Sequence, residues 1–153
     1  MTTISAESSA IIDRPVAEVW SFVRDPRNET KWHTDILEVT SAADPASGPG
    51  EEWVVGKTLL VTVQFMGRKS YEVEITRMED NQLLEITTMT GPMKPVATYR
   101  FEPSNGGTRF TRHVDIPVQG MMRVLVPLMR RTARKRNEQF VENLKSLLED
   151  SAA

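Results

Sequence analysis

Through the middle of the chain, apolar and polar positions alternate, and near its end the apolar positions recur every three or four residues. Leu59, Val61, Val63 and Phe65 share one side of an extended segment. Tyr71, Val73 and Ile75 form the next inward set, with Glu72, Glu74 and Thr76 facing out between and beyond them. Leu84, Ile86 and Thr88 follow, then Ala97, Tyr99 and Phe101, and finally Phe110, Arg112, Val114 and Ile116. Period two is the spacing of a half-buried strand, because successive side chains leave opposite faces. The breaks between these sets are short: Met66-Gly67-Arg68, "EDNQ", "TGPMKP" and "SNGGT". Asn and Gly accept positive φ, so "SNGGT" predicts a tight hairpin. Neighbouring strands joined by such turns form an antiparallel meander.

The flanks differ. Residues 3–12 predict a strand ending in Ile11-Ile12. Val16, Val19, Trp20 and Val23 then give one apolar face to a helix of about ten residues. Pro15 suits its first turn and Asp13 its cap. Pro26 interrupts it, since the residue before a proline is pushed out of helical geometry. A second, shorter helix is predicted over 27–31, a strand over 35–41, and a loop through "AADPASGPGEEW". At the far end Met122, Val126, Met129, Ala133, Arg136 or Asn137, Phe140, Leu144 and Leu147 or Leu148 form a helical stripe. The stripe predicts an amphipathic helix of about 28 residues, ~42 Å long. Pro127 removes one of its hydrogen bonds and predicts a kink in the first third.

This order predicts an α+β fold in one domain over residues 1–153. A curved antiparallel sheet of six to seven strands wraps around the long C-terminal helix, and two short helices after the first strand plug one end of the curve. The dull reading of the helical stripe is core packing against the sheet.

Composition narrows the function classes. A chain of 153 residues buries roughly 70% of its extended surface and needs no staple. It has no cysteine, which excludes disulfides, thiolate nucleophiles and cysteine-based metal sites. A net charge of −2 gives the whole molecule no attraction for nucleic acid. The start, "MTTISAESSA", lacks the basic and apolar regions of a signal peptide. "VLVPLM" is far short of the about 20 apolar residues that span a bilayer. A cytoplasmic location is the expectation. Phosphate loops, His-Glu-x-x-His and Gly-x-Ser-x-Gly are all lacking, and the two histidines lie far apart, so neither a cofactor nor a metal is expected.

Four stretches, "IIDRPVAEVWSFVRDPRNETKWH", "VGKTLLVTVQFMGRKSYEVEITRME", "TYRFEPSNGGTRFTRHVDI" and "FVENLKSLLE", resemble the START-like, helix-grip (SRPBCC) superfamily. Within it the chain is similar to the polyketide cyclase/dehydrase and lipid-transport group, from about residue 3 to 149. The Pro-x-x-x-Val-Trp-x-Phe helix start and Trp32 carry the likeness as fold determinants. The resemblance implies a hydrophobic cavity beneath the long helix, holding a lipid, sterol, polyketide, plant hormone or quinone, with some members acting as enzymes. Likeness of fold does not choose among these.

The leading expectation is therefore binding or transport of a small hydrophobic molecule between sheet and helix. The candidate ligand-binding residues are Trp20, Trp32, Phe65, Tyr71, Met89, Tyr99, Arg112, Met122, Val126 and Met129. By strand parity Arg112 points inward and His113 outward. An inward arginine is costly to bury unless paired, so it either anchors a ligand's carboxylate or phenolate, pairs with a glutamate, or sits at the cavity mouth. Inward tyrosines are hydrogen-bonding groups or ordinary core. Eight methionines suit either an adaptable pocket wall or core filling.

The alternative is a polyketide cyclase/dehydratase-type enzyme in which Arg112, Tyr99 and His33 handle protons. His33 and Asp35 are then a candidate base and carboxylate, or simply a polar helix end. A third reading starts from Arg123, Arg130, Arg131, Arg134, Lys135 and Arg136, which occur between Met121 and Asn137 with no acid among them. Beside Met121, Met122, Val124, Leu125, Val126 and Leu128 they suit a helix lying on an anionic membrane, or a merely solvated face. Nucleic acid is disfavoured as a partner because no aromatic residue is interleaved with these cations.

Overall fold

Alternation becomes strand wherever the sequence sets it. The computed structural model describes residues 2–44, 46–50, 53–64 and 67–150. The strands are β1 (Thr2–Ile12), β2 (Ile36–Ser41), β3 (Thr58–Gln64), β4 (Arg68–Glu79), β5 (Leu83–Thr88), β6 (Val96–Ser104) and β7 (Gly107–Val118). The helices are α1 (Val16–Val23), α2 (Glu29–Trp32) and α3 (Val126–Asp150), with 3-10 turns at Pro26–Asn28 and Gly120–Leu125.

All seven strands form one antiparallel sheet in the order β1-β7-β6-β5-β4-β3-β2. The meander runs from β2 to β7, and β1 closes the other side by pairing with β7 along its whole length. The sheet curls about α3, with α1 and α2 inserted after the first strand, so the expected helix-grip architecture is present. The β6–β7 turn has Asn105 and Gly106 at positive φ, as a two-residue hairpin requires. Gly107 is needed for a different reason: a Cβ there would lie 2.5 Å from the Ile12 carbonyl oxygen.

Three local expectations need correction. Asp13 does not cap α1; Pro15 occupies the cap position, and the Asp13 N–H donates to Glu149 instead. The second helix is a 3-10 turn followed by a single α turn, displaced to Pro26–Trp32. The α-helix does not run through the proline at a third of its length. It begins at Val126, so Pro127 falls in its first turn, and the six residues before it form a 3-10 turn. A proline ring clashes with the carbonyl four residues upstream, so the α-helix starts beside Pro127 rather than running through it.

Burial along the concave face of the sheet is uneven. At the end covered by α1 and α2, Leu59, Ile75, Leu84, Phe101 and Phe110 are buried in the main core with Phe140, Val141, Leu144 and Leu148 of α3. Near the opposite end, where β3, β5 and β7 finish and β4 and β6 begin, the inner positions Val63, Tyr71, Thr88, Ala97 and Ile116 are only half-buried. The first turns of α3 cover that end through a smaller cluster in which Val126, Met129 and Ala133 meet Ile4, Ile116 and Val118.

Candidate functional site

The ladder places Tyr99 on β6 directly opposite Arg112 on β7. Strand parity turns both inward, under α3, and His113 outward, where it meets Asp115 and Glu7. Arg112 is only 6% exposed. Its guanidinium lies 5.7 Å from the Tyr99 ring centre and 5.3 Å from that of Phe140. Its Nη1 donates to Asn137 Oδ1 at 2.5 Å, and Asn137 Nδ2 donates back to the Arg112 carbonyl at 2.8 Å. Its Nε–H meets no acceptor among the described residues. A buried cation without an anion is costly, and here two aromatic faces and one amide offset part of that cost.

A carboxyl group meets the hydroxyl of the same tyrosine. Glu29, on α2, is 3% exposed, and its Oε1 accepts a 2.8 Å hydrogen bond from the Tyr99 hydroxyl. Its Oε2 has no partner among the described residues. His33, one turn on, holds Nδ1 3.7 Å from Glu29 Oε1 and lies against Phe140, with ring centres 4.2 Å apart and planes tilted by 51°. Burial pushes the His33 pKa below its ordinary value; Glu29 opposes that shift and the Arg112 charge adds to it. Burial, reinforced by the Glu29 charge, pushes the Tyr99 hydroxyl well above its ordinary pKa. At neutral pH the site therefore holds a neutral imidazole, a neutral phenol able to donate, and a guanidinium.

The remaining candidates scatter. Trp32 joins this group, edge-on to Tyr99 at 5.4 Å and to Phe110 at 5.9 Å. Trp20 sits on α1, edge-on to Phe101 at 5.1 Å. Tyr71 lies half-buried against the "TGPMKP" loop, where a Cβ on Gly91 would come within 2.6 Å of its ring. Val126 and Met129 belong to the smaller apolar cluster, while Met89 and Met122 are exposed. Phe65 lies outside the described residues. His33 and Asp35 share no hydrogen bond among the described residues: Asp35 accepts from Arg136, with both carboxylate oxygens at 2.9 Å from Nη1.

The hydrophobic cavity that the resemblance implies beneath the long helix is occupied in part by side chains. Around Arg112, the rings of Trp32, Tyr99 and Phe110 fill it by mutual contact, as cores pack to crystal-like density. Toward the other end the inner positions Val63, Tyr71, Thr88 and Ala97 are only half-buried, with Val63 and Ala97 packed against the edge of the main core. A separate groove of about 660 Å³ lies on the α1 side, lined by Val16, Leu83, Arg100, Phe101 and Glu102 among others, away from the buried arginine. Among the described residues no group of three histidine or carboxylate side chains is placed to hold a metal.

Two residues of the polar group escape sequence reasoning. Asn137 had a signal, a polar side chain at an inward position of the α3 stripe. Glu29 had none, because a helix of one turn shows no periodicity.

The sequence profile for polyketide cyclase/dehydrase and lipid transport proteins matches residues 3–149. The chain belongs to this family. Among solved structures, this family member is similar to TTHA0849 from Thermus thermophilus, with a TM-score of 0.74 and 14% identity over 97% of this chain and 99% of that one. It is similar to a START superfamily protein from Mycobacterium smegmatis, with a TM-score of 0.73 and 15% identity over 96% and 98% of the two chains. It is also similar to DynU16, a protein of the dynemicin biosynthetic locus, with a TM-score of 0.63 and 19% identity over 97% of this chain and 48% of that one. At these identities the likeness is one of fold. No curated protein matches this family member in sequence. Among the described residues no helix is long and apolar enough to cross a membrane.

Proposed function

We propose that this family member binds a small, mainly hydrophobic molecule between the curved sheet and α3. The apolar body of the ligand lies along the half-buried inner positions Tyr71, Thr88 and Ala97. A carbonyl, carboxylate or phenolate oxygen reaches Arg112, beside Asn137 and Tyr99. The observation that carries this reading is the buried guanidinium with an unused Nε–H and no carboxylate paired to it among the described residues. An oxygen of the ligand would supply the missing acceptor. Because aromatic rings fill the space around Arg112, access requires α3 to shift, and its weakly held first turns are the part that moves. A cytoplasmic location, compatible with the absence of cysteine, completes the proposal.

Two fluorescent reporters test it. One, anilinonaphthalene sulfonate, is anionic; the other, phenylnaphthylamine, is neutral. Arg112→Met keeps the side chain's bulk and removes its charge. It weakens the anionic probe roughly tenfold to a hundredfold, as loss of a charged hydrogen bond does, and leaves the neutral probe nearly unchanged. Equal affinities for the anionic probe in both proteins refute the anchor. Native mass spectrometry of protein from its own host, with extraction of any retained lipid or aromatic compound, then identifies the class of cargo.

A second reading, the cyclase/dehydratase, is favoured by one contact, the Tyr99–Glu29 hydrogen bond. A neutral phenol backed by a carboxyl, near a guanidinium, suits aldol closure and dehydration of a polyketide-like chain, with Tyr99 and His33 exchanging protons and Arg112 holding the enolate oxygen. Positioning alone supplies ~7–11 kcal/mol in such ring closures. A binding protein returns a linear polyketide analogue unchanged; an enzyme releases a cyclised product lacking one water.

A further inference from the structure

The 3-10 turn at Gly120–Leu125 buries none of its residues. Of the ten exposed large apolar side chains among the described residues, five (Met121, Met122, Val124, Leu125 and Leu128) fall in this turn and the first residues of α3. Met121 is 90% exposed, Val124 81% and Leu128 64%. So dense a cluster marks an interaction surface rather than scattered exposure. The same stretch carries cations. Arg123, Arg130, Arg131, Arg134 and Lys135 are all exposed or half-buried, and there is no acidic residue between Asp115 and Glu138. None of the five forms an ion pair with a described residue. The sixth basic residue, Arg136, turns away to Asp35. Helical spacing explains the split: Val126, Met129 and Ala133 cover the sheet, while Leu128, Arg131 and Lys135 share an outward face with Arg130 and Arg134 beside it.

We propose that this surface docks on an anionic lipid bilayer. Met121, Val124, Leu125 and Leu128 enter the boundary between headgroups and acyl chains, and the five free cations meet lipid phosphates. Charge complementarity selects this occupant. The protein as a whole is slightly acidic, with a net charge of −2, so the basic patch is local and orients the molecule. A second copy of the chain is disfavoured, because a two-fold contact would set these cations against themselves. A protein groove is the weaker match, since residues 121–139 offer arginines but no Trp or Tyr, two of the three side chains enriched as anchors of such interfaces. The apolar tip flanked by arginines is the composition of an interfacial segment.

Flotation of the full chain with vesicles tests this. It is expected to float with phosphatidylcholine/phosphatidylglycerol vesicles at low salt and not with phosphatidylcholine alone. Binding is expected to fade as salt shortens the Debye length to about 3 Å. Arg130→Glu with Arg131→Glu weakens partitioning by roughly tenfold or more. Met121→Ser with Val124→Ser and Leu128→Ser, at unchanged charge, weakens it by a similar factor. These sites are exposed, and circular dichroism confirms that the variants fold. Failure to float with anionic vesicles at low salt overturns the proposal. So does serine-variant binding equal to wild type, which would reduce the patch to bare electrostatics. Sedimentation showing a wild-type dimer that Leu128→Ser dissociates would assign the surface to a second copy instead. Arg112→Met binds vesicles like wild type, so this result and the ligand-anchor result stand or fall separately.

Discussion

Tyr99 receives opposite demands from its two neighbours. Its hydroxyl donates to Glu29 while its ring face meets the Arg112 guanidinium, so one side chain touches both a buried acid and a buried cation. His33 completes the cluster without a close hydrogen bond at Nδ1, and burial favours its neutral form. That preference links folding to pH. The unfolded chain takes up a proton on His33 as pH falls below about 6.5, while the folded chain resists until the pH is lower still. The His33 contribution is therefore complete above about 6.5 and is lost progressively below it. Urea unfolding between neutral pH and mild acid is expected to show a steeper loss for wild type than for His33→Gln. Parallel curves would show that His33 does not titrate with folding.

The elements were largely legible because their causes are local. Strand parity placed Tyr99 and Arg112 inward, and the "SNGGT" turn placed a hairpin where β6 meets β7. Boundaries failed where a distant part of the chain decides them. Asp13 is drawn to the C-terminal end of α3, and α2 is squeezed to one turn between α1 and β2. Gly107 shows how little room such junctions leave. Gly107→Ala drives a Cβ against the Ile12 carbonyl and is expected to lower stability by about 1–3 kcal/mol, as overpacking does, measured as a lower urea midpoint. An unchanged midpoint would mean that β1 and β7 separate at no cost at that end.

Across the whole molecule, α3 is held unequally. Its C-terminal half enters the main core through Phe140, Val141, Leu144 and Leu148, and its N-terminal half rests on the small cluster around Ile4 and Val118. Leu144→Ala is expected to cost about 2–5 kcal/mol in global unfolding. Amide exchange is expected to be faster at 130–133 than at 140–144, because opening free energy follows buried apolar contact. Uniform protection along α3 would count against the first turns moving to admit a ligand. By itself the sequence determined the strands, the inward faces of β3 to β7 and the long helix, since these follow from spacing between near neighbours, and it carried the family through its resemblance to known members. Only the tertiary structure decided that Glu29 meets Tyr99 and Asn137 meets Arg112, partners 70 and 25 residues apart. Periodicity says which way a side chain points. What it meets there depends on how the sheet curls and where α2 and α3 settle against it.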